Sequence, residues 1–344
     1  MELKHRQILS AQVDLSKFNK ANFEKATDEE KKQQDVMGES TTFFKDGMKR
    51  LKKNPLAMGS IVILVLILAL IIIAPFFVPY SYSDIITVDG KRDKTAANMA
   101  PFEYSKLEQQ YMDRTGEKLF PHIFGTDNLS RDYFIRVIYG TRVSLAVGLV
   151  ASIMVLIIGL LYGAIAGYCG GKVDMVMQRI LEIANGIPRL VIVTLLLLVL
   201  KPGMLTIIFA LMLTEWVGMS RIARAEMLKL KEQEFVLASR TLGAGSFFII
   251  FKEILPNIIG PIITQVMFSI PTAIFTEAFL SFVGLGIPVP QCSLGSLISE
   301  GFNSFTTHSY QIIPPIIVMA LLMLSFNLVA DGLREALDPK MKEM

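Results

Sequence analysis

Long apolar blocks alternate with polar segments along this chain. No charged residue stands between Asn54 and Tyr82, and a helix needs only about 20 apolar residues to cross the hydrocarbon core of a membrane. Residues 1–54 precede this block, so we expect a retained membrane span and not a signal peptide. The pattern predicts an all-α integral membrane protein with six spans, at Leu56–Pro79, Val143–Tyr168, Met177–Leu200, Met204–Ile222, Ile254–Leu285 and Ile312–Leu333.

The polar segments divide the chain into regions. We expect a polar tail before the first span and a large segment with an amphipathic portion after it. The remaining five spans form a core that a polar loop interrupts, and a second tail follows. In chain order these regions are residues 1–54, 55–79, 80–142, 143–334 with the loop at 223–253, and 335–344.

The distribution of Lys and Arg predicts which segments face the cytoplasm. The stretch "KDGMKRLKKN" before the first span holds five basic residues and one acidic residue, whereas residues 286–311 contain no Lys or Arg. Both tails and the 223–253 loop are therefore expected in the cytoplasm, and residues 80–142 are expected outside. Cys169 and Cys292 should then lie on opposite sides of the membrane and form no disulfide.

Composition narrows the possible functions. Hydrophobic residues make up 52% of the 344 residues and charged residues 19%, below the share of about a quarter that is usual in soluble domains. A net charge of +3 gives no reason to expect a nucleic-acid partner. Neither the two cysteines and three dispersed histidines nor any Ser/His/Asp cluster predicts metal ligands or catalytic residues. A membrane enzyme is therefore disfavoured, and so is a channel or secondary carrier, since no convincing internal repeat is visible.

A glycine-rich stretch, "AGYCGGKV" at Ala166–Val173, has some likeness to a phosphate-binding loop. Such a loop needs Gly, four residues, Gly-Lys and then Ser or Thr. Ala166 and Val173 occupy the first and last of these positions, so we expect no ATP site in this chain. The glycines here are better suited to close helix packing.

The polar loop at 223–253 contains a predicted short helix. Phe235, Ala238 and Leu242 recur on one helical face. The following "LGAG" is expected to end that helix, because glycine readily adopts the positive φ of a sharp reversal. Two interpretations remain open at this point: a helix that lies on the lipid surface, or a helix that docks in a groove of a soluble protein.

The loop resembles the cytoplasmic "EAA" loop of bacterial ATP-binding-cassette importer permeases. The family pattern is roughly E-A-A, three residues, Gly, nine residues, Ile, one residue and Leu-Pro. Four residues match this pattern in register, and three depart from it. The matches are Ala238, Gly243, Leu255 and Pro256; the departures are Leu237, Ser239 and Glu253, where the family often has Glu, Ala and Ile.

Three further stretches are similar to the second permease subunit of oligopeptide, dipeptide and nickel importers, the OppC/DppC-like member of the pair. They are "GTDNLSRDYFIRVIYGTRVSLAVG" at Gly125–Gly148, "EAFLSFVGLGIPVPQCSLGSLISEG" at Glu277–Gly301 and "SFNLVADGLREALDPK" at Ser325–Lys340. Together with the spans, the resemblance covers roughly residues 45–340.

The resemblance implies a type I ABC importer permease fold with a cytoplasmic coupling helix, in a bacterial cell membrane. The implied partners are a second, homologous permease, two ABC ATPases, an extracellular substrate-binding lipoprotein and membrane lipid. The implied cargo is an oligopeptide, with dipeptides, nickel or another small solute as alternatives. This non-catalytic chain would bind no cofactor, and ATP and magnesium would belong to the ATPases. The implied ATPase-coupling residues are Glu234, Ala238, Ser239, Gly243, Leu255 and Pro256.

Charged residues inside the predicted spans are informative, because each costs about 2.5–3.5 kcal/mol on insertion scales. We expect Glu182 to reach the membrane surface from the end of its span. Glu277, Glu215 and Arg189 are the candidates for lining the translocation pathway. Arg189 and Glu215 lie on consecutive predicted spans, so an ion pair between them is one possibility.

Overall fold

The computed structural model describes residues 43–337, and most of these residues are helical. A two-residue hairpin pairs Thr87–Val88 with Lys91–Arg92. The helices, in chain order, are α1 (Phe43–Leu51), α2 (Pro55–Phe77), α3 (Lys106–Thr115), α4 (Tyr133–Cys169), α5 (Gly171–Gly186), α6 (Arg189–Leu200), α7 (Met204–Leu230), α8 (Glu234–Thr241), α9 (Ser246–Phe282), α10 (Leu294–Asn303) and α11 (Ile313–Leu337).

Five of these helices are long and apolar enough to cross a membrane, and a sixth span is made if the bent pair α5 and α6 counts as one. The span predicted at Met177–Leu200 is broken, because α5 and α6 meet at an angle of 78°. Pro188 explains the break. It lacks the N–H that a continuing helix needs, and it favours an extended backbone at Ile187, which has φ −85° and ψ 126°.

α4 and α7 extend well beyond their predicted spans, and α9 begins at Ser246 instead of Ile254. α4 begins at Tyr133 instead of Val143, directly after Asp132, whose side chain caps the helix by accepting a hydrogen bond from the Ile135 amide. α7 continues to Leu230 instead of ending at Ile222. The connection between α7 and α9 is therefore shorter than the predicted 223–253 loop.

Glycines on α4 allow it to approach α7 closely. Gly159, Gly163 and Gly167 are spaced four residues apart and all face α7. A Cβ atom at Gly163 would lie 2.7 Å from the Cβ of Ala223, too near for two carbon atoms. Small residues at this spacing bring helices together in membranes, where packing replaces the hydrophobic effect as the main attraction.

A charged side chain completes the hydrogen bonding of α2. Pro75 has no N–H to offer the carbonyl of Ile71 one turn earlier. The Arg142 guanidinium of α4 donates a hydrogen bond to that carbonyl instead, at 2.5 Å. α2 thus continues as one helix past Pro75. Most of its remaining surface is exposed, as expected for a helix that contacts lipid.

The segment between α2 and α4, residues 80–132, is here called the cap. His122 is fully buried at its centre, with Nδ1 2.7 Å from Asp132 and Nε2 3.0 Å from Glu108. Burial alone would lower the pKa of His122, but the hydrogen bonds and charges of Asp132 and Glu108 outweigh it and raise that pKa to about 9. The charged ring of His122 therefore links the centre of the cap segment to Asp132, whose side chain also accepts a hydrogen bond at the start of α4.

Candidate coupling surface and membrane cavity

The connection between α7 and α9 carries α8, which is held to the rest of the chain at two points. Val236 is fully buried. The Arg240 guanidinium lies 5.8 Å from the ring centre of Tyr168, near the end of α4, a distance at which a cation is attracted to an aromatic face. α8 is thus fixed against α4 and α9 on one side only.

The opposite side of this connection presents apolar residues that nothing in the described chain covers. Leu242 is 89% exposed and Phe247 is 75% exposed. Phe235 and Leu237 are also exposed, and Ala238 lies between them on the outward side of α8. We call these five residues the coupling surface. The face predicted from the spacing of Phe235, Ala238 and Leu242 is therefore the free face of the helix.

The turn after α8 is a Schellman motif, in which a left-handed residue closes the end of a helix. Gly243 adopts φ +85°. Its amide donates to the Arg240 carbonyl and the Ala244 amide donates to the Ser239 carbonyl, both at 3.0 Å. Nothing lies within 4 Å of the position that a Gly243 Cβ would occupy. The backbone conformation, and not a lack of space, favours glycine here.

The coupling surface is continuous with a membrane-spanning helix. α9 starts at Ser246 and passes through one π-helical segment, Ile249–Ile254, before it continues to Phe282. Both ends of the π-helical segment are buried, at Ile249 and Ile254. Proline at position 256 has no N–H for the usual helical bond, and the Leu255 amide reaches back five residues to the Ile250 carbonyl.

The six predicted coupling residues do not form one surface. Ala238 and Gly243 are exposed around α8, as is Glu234 at the start of this helix. Ser239 and Leu255 are half-buried, and Pro256 is exposed on the first turns of α9. The structure therefore separates residues that face outward from residues that shape the connection.

Farther along α9, one face lines a cavity of about 130 Å³ between α4, α7 and α9. Gln265, Ser269 and Thr272 supply its polar wall on α9, opposite Ser152 of α4 and Glu215 of α7. The three α9 residues recur at helical spacing, so a single stripe faces the cavity. Glu215 stands out in the sequence as a charge inside a predicted span, whereas the hydroxyl and amide groups around it carry no such signal.

Arg189 and Glu215, which the sequence left as a possible pair, are joined by an ion pair at 2.5 Å. The pair links the start of α6 to the middle of α7. Glu215 lies about 16 Å along the axis from Met204 at 1.5 Å per residue, within a helix that is long and apolar enough to cross a membrane.

Glu277 lies elsewhere and has no exposed surface. Its carboxyl group accepts hydrogen bonds from the hydroxyls of Ser144 at 2.9 Å and Ser281 at 2.7 Å. The Ser144 oxygen in turn accepts one from the Leu294 amide at 3.0 Å. In this geometry Glu277 joins α4, α9 and α10, and it is not among the residues that line the cavity around Glu215. Glu182 is exposed on α5 and pairs with Arg179.

Two known protein families match parts of this chain. The family of binding-protein-dependent transport system inner membrane components matches residues 159–343, more than half of the chain. The chain belongs to this family. The N-terminal TM domain of oligopeptide transport permease C also matches the permease, at residues 42–101.

Curated relatives match almost the whole permease. It is 40% identical to the oligopeptide transport system permease protein OppC of Bacillus subtilis over 90% of its own length and 93% of the relative. It is 41% identical to the dipeptide transport system permease protein DppC of the same organism, over 88% of each chain. It is 35% identical to OppC of Escherichia coli over 88% of the permease and 93% of that relative.

A solved structure shows the same fold. A chain of the MetNI methionine ABC transporter, in an inward-facing conformation, covers 60% of the permease and 97% of its own length, with a TM-score of 0.50 and 17% identity. The type I ABC importer permease fold predicted from the sequence is thereby confirmed. Within residues 43–337, no three His, Cys, Asp or Glu side chains are placed to hold a metal ion together.

Proposed function

We propose that this permease is the OppC/DppC-like membrane subunit of an ATP-driven importer of oligopeptides. It forms the translocation pathway together with a second, homologous permease. One of two ABC ATPases binds the coupling surface, the other binds the second permease, and a substrate-binding lipoprotein delivers the peptide from outside. The tails and α8 face the cytoplasm, the cap faces outward, and the chain lies in the cell membrane of a bacterium.

The continuity of the coupling surface with α9 carries this proposal. Five outward-facing residues, four of them bulky and apolar, are costly to leave in water and suit a groove on a soluble partner. The same helix that begins beside Phe247 lines the polar cavity with Gln265, Ser269 and Thr272. A displacement at one end of α9 is therefore transmitted to the wall of the pathway.

The mechanism is alternating access, in which ATP binding to the ATPases opens and closes a pathway that lies in the membrane. ATP binding closes the two ATPases, and each carries its docked coupling helix with it. Val236 and the Gly243 turn keep α8 and the start of α9 in a fixed relation, so α9 moves as a unit. The pathway then opens outward and accepts the peptide. ATP and magnesium are bound by the ATPases, and this chain holds no cofactor.

The proposed cargo is an oligopeptide. Relatives named for oligopeptide and for dipeptide transport are equally similar to the permease, at 40% and 41% identity. Dipeptides are thus the main alternative, and nickel or another small solute is a more distant one.

The coupling surface can be tested with Leu242→Ser in the complete complex. Burying a leucine side chain contributes about 1.5–3 kcal/mol, so we expect the ATPases to be retained about tenfold or more weakly and peptide uptake to fall in parallel. Met48→Ser is the matched control, because Met48 of α1 is 54% exposed and its loss removes a similar apolar side chain. Normal uptake and ATPase retention in Leu242→Ser would contradict the proposed coupling role.

A further inference from the structure

The cavity between α4, α7 and α9 has several hydrogen-bond acceptors in its wall, beside the Gln265 amide, which can donate as well as accept. The hydroxyl of Ser269 donates its proton to the Val266 carbonyl at 2.7 Å, and that of Thr272 donates to the Phe268 carbonyl at 2.9 Å. Each hydroxyl has only one proton. Neither hydroxyl therefore has a proton left to give, and each oxygen can still accept a hydrogen bond.

Two more groups in the wall retain free hydrogen-bonding capacity. The hydroxyl of Ser152 is buried and has no partner in the described part of the chain, although a buried polar group normally has one. Glu215 uses Oε1 for its pair with Arg189. Its Oε2 has no hydrogen-bond partner within residues 43–337. A hydroxyl and a carboxylate oxygen are thus left for something that enters the cavity.

The pair between Arg189 and Glu215 leaves room for a second cation. The Arg189 side chain is 53% exposed and approaches from α6, whereas Glu215 is 17% exposed and lies in the cavity wall. One carboxylate accepts about four hydrogen bonds, so binding at Oε2 does not require Arg189 to leave. The cavity, at about 130 Å³, is also larger than the roughly 10–15 Å³ of such space that one water molecule needs.

We infer that this cavity binds the protonated amino group of the transported peptide, an inference that rests on the proposed function. An ammonium group has three donors and no acceptor, and Glu215, Ser269, Thr272, Ser152 and the amide oxygen of Gln265 are all groups that can accept from it. The carboxylate supplies the opposite charge without which a cation in this cavity is costly. Peptide binding here is a passing contact along the pathway and adds to selection by the binding protein.

The experiment compares two forms of one peptide in the complete complex in proteoliposomes, each at a concentration that saturates the binding protein. One form has a free amino terminus and the other is N-acetylated. Glu215→Gln removes the charge and keeps the shape. We expect it to reduce uptake of the free-amino peptide about tenfold or more, as for the loss of one charge-assisted hydrogen bond, and to change uptake of the acetylated form less than about twofold.

Two further variants separate binding from structure. Glu182→Gln makes the same chemical change in an exposed ion pair and should leave the ratio of the two uptake rates unchanged. Thr272→Val removes an acceptor while keeping the shape of an exposed side chain. It should lower the ratio of free-amino to acetylated peptide uptake by a smaller factor than Glu215→Gln does. Equal losses for both peptides in Glu215→Gln, or no loss for either, would overturn the inference.

A second measurement does not depend on transport. In Thr272→Cys, the free-amino peptide should slow labelling of the cysteine by a methanethiosulfonate reagent in vanadate-trapped complexes, and the acetylated peptide should not. Protection by both peptides or by neither would overturn the inference. Protection by sodium or potassium alone would assign the cavity to an inorganic cation instead. A complex that hydrolyses ATP but imports neither peptide contradicts the proposed function itself, which is a distinguishable outcome.

Discussion

Arg136 and Glu300, 164 positions apart in the chain, form a two-point ion pair between the first turn of α4 and α10, with N–O distances of 2.7 and 3.0 Å. Arg136 has no exposed surface. Its Nη1 also donates to Asp127 at 2.6 Å, and Asp127 accepts from Arg131 at 2.6 Å. These residues belong to the "GTDNLSRD" and "SLGSLISEG" stretches and the segment between them. The motifs that carry the family resemblance therefore include side chains that hold the cap to α4 and α10.

Asp127→Asn should destabilise the cap. It removes the charge that faces both Arg131 and Arg136, and breaking a buried pair typically costs about 3–5 kcal/mol because the remaining charge is left uncompensated. Thermal unfolding of the purified permease in detergent measures the effect. Glu182→Gln, in an exposed pair, should change the stability by less than about 1 kcal/mol. Equal effects of the two changes would mean that the buried network is not stabilising.

His122 should make the stability of the permease depend on pH. Its pKa rises from an ordinary value near 6.5 to about 9 in the fold. A raised pKa stabilises the folded state fully below pH 6.5, and the contribution is lost as the pH rises toward 9. It amounts to about 3 kcal/mol at most, at 1.36 kcal/mol per pKa unit. Unfolding temperatures measured from pH 6 to 9.5 should therefore fall.

The control for this pH dependence is a second histidine. His122→Gln should lower the unfolding temperature at pH 6 and flatten its dependence between pH 6.5 and 9. His308→Gln should preserve that dependence, because within residues 43–337 the ring of His308 hydrogen-bonds to the hydroxyl of Thr307, at 2.9 Å, and to no carboxylate. A steep profile that survives in His122→Gln would assign the effect to another group.

Gly163→Ala should disrupt the contact between α4 and α7. The added Cβ would meet the Cβ of Ala223 at 2.7 Å and the carbonyl oxygen of Ser220 still closer. Overpacking of this kind costs about 1–3 kcal/mol. Gly59→Ala is the matched control within α2, where nothing lies within 4 Å of the new atom, and it should be neutral or slightly stabilising. Comparing the unfolding temperatures of the two variants tests whether glycine is needed for the close approach.

The two cysteines should differ sharply in reactivity. Cys169 is exposed, whereas Cys292 is buried and its thiol donates to the Arg136 carbonyl at 3.5 Å. Burial raises the pKa of Cys292 to about 11, which removes the reactive thiolate at neutral pH. A membrane-impermeant maleimide should label Cys169 from the proposed cytoplasmic side only, and Cys292 only after denaturation. Labelling of Cys169 from outside intact cells would reverse the proposed topology.

The sequence predicted those features that depend on local chemistry. The apolar blocks predicted most spans, because a long uncharged run has few alternatives to a membrane helix. The turn after α8 was predictable, because Gly243 is needed for a positive φ. The start of α4 at Tyr133 was not, since the charge of Arg136 argued against a span until Asp127 and Glu300 were seen to neutralise it. The polar groups around Glu215 likewise come from three helices that meet only in the folded chain, so no single stretch of sequence predicts them.

Ala238→Arg and Gly243→Val should both abolish peptide uptake while leaving the permease in the membrane, because neither residue lies in a spanning helix. Ala238 is exposed on the coupling surface, so a long charged side chain there would obstruct a packed groove. Gly243 has open space around it but a φ of +85°, and a β-branched residue is strongly disfavoured in that conformation. Uptake and co-purification of the ATPases from the complete complex measure both effects.

A helix that merely lies on the lipid surface leads to the opposite expectation for Ala238→Arg. An added positive charge near anionic lipid contributes about 1 kcal/mol of attraction, so this variant would bind the membrane more firmly and transport peptides normally. Thr241→Ala is the control, because it trims an exposed residue of α8 whose hydroxyl only donates to the Leu237 carbonyl of its own helix. If Ala238→Arg behaves like Thr241→Ala in both uptake and ATPase retention, α8 is not the coupling element and its exposed apolar residues contact lipid.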